Sequence, residues 1–124
     1  QLQTLLATGV SVTESGDGWE LPSADLVIDA LIGYGLSGNP RGAVADLIRL
    51  ANSHPAPILS LDAPSGLDAT DGVVYVSCIE AAATMTLALP KTGLLAAPPA
   101  VVGQLFLADI SAPPGLYEML GIEL

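Results

Sequence analysis

A chain of 124 residues with 13 acidic and 3 basic side chains, net charge −10, is one domain at most and a poor partner for polyanions. Arg41, Arg49 and Lys91 are its only lysine or arginine side chains, so nucleic-acid binding and adhesion to an anionic membrane surface are disfavoured. Apolar residues make up 51% and aromatics 4%, so alanine, leucine and valine must build a packed core, and disorder is disfavoured.

Gln1 to Ala7 reads as the tail of a helix, with Leu2, Leu5 and Leu6 on one face and Gly9 as its stop. The chain thus begins inside an element and without a methionine, as a piece of something longer would. Val10 to Val12 is expected to form a short strand and Glu14 to Pro22 a turn-rich loop. Leu26 to Leu31 is a nearly all-apolar strand, suited to a parallel sheet covered on both faces. A glycine loop, Gly33 to Asn39, follows. Pro40 is placed to open the next helix, which runs from Gly42 to Asn52 with apolar residues at 44, 47, 48 and 51. Pro57 to Leu61 is the next strand. This strand–helix–strand unit has the length of a parallel crossover.

Beyond it, Thr70-Asp71-Gly72 is a turn. Val73 to Val76 is a candidate short strand and Cys78 to Ala83 a candidate helical turn. Thr84 to Leu89 is a strand ended by Pro90, and Gly93 to Ala97 is a loop or short helix. Val101 to Ile110 is expected as a strand at or near a sheet edge, and Pro114 to Leu120 as a short terminal helix. The expected class is α/β, with a mainly parallel sheet. Cys78 is alone, which excludes an intrachain disulfide; a buried, inert thiol is the expectation. The apolar stretch Leu26 to Ile32 is interrupted by Asp29 and too short to span a membrane, so a cytoplasmic setting is expected.

Two apolar runs end in an aspartate and then break into glycine or proline. The first, Leu26 to Asp29, opens the loop Gly33-Tyr34-Gly35-Leu36-Ser37-Gly38-Asn39. The second, Leu59 to Asp62, opens Ala63-Pro64-Ser65-Gly66. Strands of this kind deliver carboxylates to the carboxyl edge of a parallel sheet, where α/β proteins bind ligands. A buried Asp29 needs a partner: a cation, a cluster of backbone amides or a ligand. A plain cap on the loop at Gly33 and Gly35 is the alternative. The glycine loop suits an anion cradle, although its spacing is neither the dinucleotide fingerprint nor the P-loop. Arg41 is a phosphate clamp or a solvated residue at the helix start. Asp62 and Ser65 offer carboxylate and hydroxyl oxygens that suit a hard cation or an Asx-turn; Asp68 reads as a turn residue. His54 reads as a connector, and no serine or cysteine has an evident base partner. Lys91, just after a strand-ending proline, falls at the same sheet edge as Asp29 and Asp62, as a ligand contact or a surface lysine.

The runs Val-Ile-Asp-Ala-Leu-Ile-Gly-Tyr-Gly-Leu-Ser-Gly, Leu-Asp-Ala-Pro-Ser-Gly-Leu-Asp-Ala-Thr-Asp-Gly and Leu-Pro-Lys-Thr-Gly-Leu together resemble the N-terminal domain of YjeF-type proteins, the NAD(P)H-hydrate epimerases. The resemblance covers Asp25 to about Ile110. It implies a Rossmann-like three-layer αβα fold, present across residues 1–124 as the later half of the domain. It implies interconversion of the R and S hydrates of NADH and NADPH, with a potassium ion beside the substrate. On matching positions, Asp29 and Ser65 become potassium ligands. Gly33, Tyr34, Gly35, Leu36, Ser37, Gly38 and Asn39 become the loop holding the substrate's phosphate portion. Asp62 becomes a substrate contact and the acid/base group. An ADP- or ATP-dependent NAD(P)H-hydrate dehydratase, fused or separate, is the implied partner.

The Asn-Gly-Gly-Asp-Gly-type loop of the domain's first half does not occur in this chain. A half domain is expected to expose an apolar sheet edge and to form a homodimer. The alternative reading is a non-catalytic Rossmann-like nucleotide-binding or protein-interaction domain. A generic phosphate-binding enzyme is disfavoured by the lack of a phosphoryl-transfer motif.

Overall fold

The computed structural model describes residues 2–16, 18–119, 121 and 122. Gln1, Asp17 and Leu120, which belong to the expected first helix, first loop and last helix, lie outside the described residues. In chain order the elements are α1 (Leu2–Ala7), β1 (Val27–Asp29), α2 (Gly42–Asn52), β2 (Ile58–Leu61), β3 (Ala83–Leu87), α3 (Thr92–Ala96), α4 (Pro99–Val102), β4 (Gln104–Ala108) and α5 (Pro114–Met119). The four strands form one all-parallel sheet in the order β1-β2-β3-β4. With helices flanking it, this is a partial Rossmann-like α/β fold.

The β1–α2–β2 unit follows the hydrophobic pattern. α2 has the expected bounds and turns Ala45, Ile48 and Ala51 inward. Ile48 and Ala51 pack with Ile58, Ile79 and Ala81, and Val27 and Val44 close the cluster. Burying Ile48 alone is worth roughly 2 kcal/mol. Arg41 occupies the N-cap with no side-chain cap bond. Pro40 therefore sits ahead of the cap, outside the first turn. A second cluster, Ala63, Leu67, Ala69, Leu94, Ala97, Val101 and Val102, joins the loop after β2 to α3 and α4.

Four local expectations are corrected. Val10 to Val12 is not a strand; Val10 and Val12 are 53% and 42% exposed and no described strand lies beside them to supply ladder bonds. In Val73 to Val76 only Val74 pairs, in an isolated antiparallel bridge to Leu67. Cys78 to Ala83 makes no helical turn: it runs across the core, with Ile79 N–H donating to the Ser65 carbonyl and Ala82 N–H to that of Ile58. Val101 to Ile110 is split. Pro99 at the first helical position starts α4, which holds Val101 and Val102, and Gly103 (φ 63) reverses the chain into β4. β4 does lie at a sheet edge, as expected.

At the opposite edge, β1 has no further neighbour among the described residues, and Leu26, Ile28 and Leu31 are 47%, 57% and 42% exposed. The expected exposed apolar edge is thus present. No helix among the described residues is long and apolar enough to cross a membrane.

Candidate functional site

Register assembles the first half of the site. Asp29 ends β1 and lies opposite Ser60 on β2, which lies opposite Thr84 on β3. All three are buried. Side chains directly opposite in a ladder share one face, so a polar row crosses the sheet where a core would ordinarily be apolar. Asp29 Oδ2 accepts from Ser60 Oγ (2.8 Å) and from Ser65 N–H (2.8 Å). Asp29 Oδ1 accepts from Ser65 Oγ (2.6 Å) and Leu31 N–H (3.3 Å). Thr84 Oγ1 donates to the Val102 carbonyl at 2.7 Å, which accounts for the end of the row.

The partner that the sequence requires for Asp29 is therefore the loop after β2, through Ser65, together with Ser60. It does not simply cap the glycine loop. Ser65 also accepts from Ile32 N–H at 2.8 Å and so ties the entrance of that loop to the same carboxylate. No lysine, arginine or histidine pairs with Asp29 among the described residues.

The loop carrying Ser65 is held by backbone. Residues 63 to 67 are all buried. Gly66 has φ +101, and a Cβ there would stand 2.1 Å from the Ser77 carbonyl oxygen and 2.5 Å from Cys78 Cα. Only glycine fits. Gly66→Ala is expected to cost about 2–3 kcal/mol, read as a lower midpoint in urea unfolding; an unchanged midpoint would contradict this packing.

Asp62 builds the second half. It follows β2 with φ 70, a left-handed conformation that aspartate tolerates better than most residues. The backward turn carries its side chain toward β3. Lys91 Nζ is ion-paired with Asp62 Oδ1, which also accepts from Leu87 N–H at 3.3 Å. Lys91 further donates to Thr86 Oγ1 (3.1 Å) and to the Leu87 carbonyl (3.0 Å). Its side chain is 19% exposed and that of Asp62 21%, against 66% for Arg49 in its surface pair with Asp46. Lys91 is thus no free surface lysine. Among the described residues Asp62 and Asp29 have no common partner: each anchors its own end of the sheet edge.

The glycine loop is open. Gly33, Tyr34, Gly35, Ser37 and Asn39 are exposed, and Leu36 and Gly38 are half-buried. Gly35 (φ 99) and Gly38 (φ 95) supply its turns. Asn39 Oδ1 accepts from Val76 N–H at 2.9 Å, pinning the loop's far end. Arg41 is exposed, as a solvated helix-start residue is. Asp68 is a turn residue as expected, accepting from Thr70 N–H at 2.9 Å. His54 bridges the α2–β2 connection: its Nδ1 accepts from Ala56 N–H (3.1 Å) and its Nε2 lies 3.2 Å from the Pro22 carbonyl. Burial, and then the charges of Asp29 and Glu80, push the Cys78 thiol up to about 12. It stays protonated at neutral pH and is no nucleophile.

Along β1 runs a groove of about 260 Å³, lined by Trp19, Leu21, Ile28, Leu31 and Leu47 and reaching Asp29. Neither Asp62 nor the glycine loop lines it. Ser60, Thr84 and Thr86 were not among the residues marked in the sequence. Their signal is polar side chains on alternate positions of two core strands.

An all-parallel sheet with two carboxylates, a lysine and a glycine loop at its carboxyl edge places the chain in the Rossmann-like α/β class, in which ligands bind at that edge. Residues 1–93 match the family described as YjeF-related protein N-terminus, and the chain belongs to that family. It is 46% identical over 104 residues to the NAD(P)H-hydrate epimerase of Dehalogenimonas lykanthroporepellens, covering 84% of this chain and 41% of that protein. It is 43% identical over 96 residues to the NAD(P)H-hydrate epimerase of Truepera radiovictrix, covering 77% and 43%. The bifunctional NAD(P)H-hydrate repair enzyme of Moorella thermoacetica is 43% identical over 94 residues, 75% of this chain and 18% of that one. The chain thus spans about two fifths of the length of the two epimerases.

Proposed function

We propose that this chain forms part of an NAD(P)H-hydrate epimerase, an isomerase that interconverts the R and S hydrates of NADH and NADPH. The observation that carries the reading is Asp62: a half-buried carboxylate, turned out of the strand by an unusual backbone angle and anchored, among the described residues, through one oxygen only. Inverting the hydroxyl-bearing carbon breaks one of its bonds and re-forms it on the opposite face. A proton taken from the hydrate in the first half is returned in the second, so one positioned acid/base group can serve both halves. Asp62 is that group and also touches the substrate. Gly33 to Asn39, leading into the uncapped start of α2, holds the phosphate portion through backbone N–H groups. A non-catalytic binding domain would need neither the Asp62–Lys91 pair nor a carboxylate that keeps one oxygen without a partner among the described residues.

Potassium belongs to the same proposal. The donor chemistry fits part of a hard-cation shell: Asp29 Oδ1, Ser65 Oγ and the Ile32 carbonyl oxygen lie together, Ser65 Oγ being 2.6 Å from the Asp29 oxygen and 3.3 Å from the Ile32 oxygen. Asp29 is buried with four hydrogen-bond donors but, among the described residues, no side-chain cation, so its charge is solvated and not neutralised, which is compatible with a bound cation. Asp29 and Ser65 would hold the ion, which supplies a fixed positive charge near an anionic substrate. Replacing potassium by tetramethylammonium in the full-length protein is expected to lower the epimerisation rate at least tenfold and to lower the melting temperature. No change in either would contradict the ion's place here.

A homodimer joined along the apolar β1 edge, and supply of the product to an NAD(P)H-hydrate dehydratase in the cytoplasm, complete the proposal. The names of bifunctional repair enzymes among the relatives support the second of these.

A further inference from the structure

We infer that Lys91 is a positioning residue, which fixes the Asp62 carboxylate so that Oδ2 is the oxygen presented to the substrate; this rests on the reading of Asp62 as the proton-transferring group. The geometry is three-pointed. An ammonium has three hydrogens, and those of Lys91 go to Asp62 Oδ1, Thr86 Oγ1 and the Leu87 carbonyl oxygen. With all three engaged, the Nζ position is set by β3 and not by the lysine's own flexible stem. The stem is anchored at its other end too: Lys91 is the N-cap of α3, and its carbonyl accepts from Leu94 N–H at 3.1 Å.

On the aspartate side the bonds are one-sided. Oδ1 receives both Lys91 and Leu87 N–H, whereas Oδ2 has no hydrogen-bond partner among the described residues. Asp62 also has no buried atom left unpaired, so Oδ2 faces solvent at the sheet edge. One oxygen is therefore spent on orientation and the other is available for proton transfer. An exposed pair such as Arg49–Asp46 could not do this, because two solvated side chains keep their rotamer freedom. A misplacement of about 1 Å in a reacting group costs on the order of 100-fold in rate.

The test uses the full-length protein, with kcat and KM measured for a single hydrate epimer. Lys91→Met is expected to lower kcat about 10- to 100-fold with KM changed less than about twofold. Lys91→Arg keeps the charge but cannot reproduce the three bonds, and is expected to fall between. In Lys91→Ala, ethylammonium is expected to restore part of kcat, where sodium chloride at the same ionic strength does not. Wild-type kcat in Lys91→Met, with Asp62→Asn inactive, would overturn the inference and leave the reading of Asp62 standing. A loss in Lys91→Ala that ethylammonium does not restore would overturn it as well, marking Lys91 as merely structural. Wild-type kcat in Asp62→Asn would overturn the reading itself. Should Lys91→Met fail to fold, Lys91→Arg decides: full kcat there overturns the inference.

Discussion

Asp62→Asn in the full-length protein is expected to lower the epimerisation rate by about 10²- to 10⁴-fold, the range that a positioned proton-transfer group supplies. Asparagine keeps the shape and can leave its carbonyl oxygen toward Lys91 Nζ and Leu87 N–H, the two donors now held by Oδ1. The position otherwise occupied by Oδ2 then carries an amide nitrogen, which accepts no proton. The pair with Lys91 is largely buried, so leaving the ammonium without its counter-charge is expected to lower stability as well, by about 1–3 kcal/mol. The signature is thus a fall in kcat far larger than a moderate loss of stability explains, measured at a temperature where urea unfolding shows the variant still folded. Rates within a few-fold of wild type would remove Asp62 from the chemistry.

The second large effect is on folding. Asp29→Ala and Asp29→Asn are both expected to destabilise strongly, alanine by about 3–5 kcal/mol and asparagine by about 2–3 kcal/mol. Alanine strands four donors: Ser60 Oγ, Ser65 Oγ, Ser65 N–H and Leu31 N–H. The asparagine result is the more diagnostic. Each Asp29 oxygen receives one backbone N–H, Ser65 on Oδ2 and Leu31 on Oδ1. Hydroxyls can rotate away, but these amides cannot. Either orientation of an asparagine amide therefore sets its own N–H₂ against a backbone N–H. Urea unfolding of the two variants measures this; an asparagine variant as stable as wild type would show that one of the two amides is not held as described.

Much of the architecture was legible because it depends on periodicity. The α2 stripe at 44, 47, 48 and 51 and the apolar runs of β1 and β2 carry their elements with little ambiguity, and the terminal aspartates of those runs are placed by strand direction alone. What depended on pairing was not legible. Nothing local to Asp29 shows that Ser60 lies opposite it or that Ser65 returns to it from across the β2 turn. Valines misled in both directions. Val10 and Val12 have strand propensity but no described strand beside them, whereas Val101 and Val102 form a helix because Pro99 starts one and both side chains are buried in the second cluster. Propensity without a partner decides little. Lys91 shows the same limit: Pro90 marks the end of a strand, but the threonine and carbonyl that hold the ammonium are visible only once β3 lies beside Asp62.

The geometry fits a chain that spans about two fifths of the length of the epimerases it matches. The carboxylates, the lysine and the glycine loop share one edge, yet the glycine loop is open and the β1 edge is uncovered.

We propose that this sheet edge serves a reaction that exchanges the two epimers of a nicotinamide hydrate. The most direct measurement follows a purified single epimer of hydrated NADH by chromatography, with the full-length protein and potassium present. Conversion to the equilibrium mixture of R and S is expected, far faster than in buffer alone. Conversion at the spontaneous rate, by folded protein with potassium present, would contradict it.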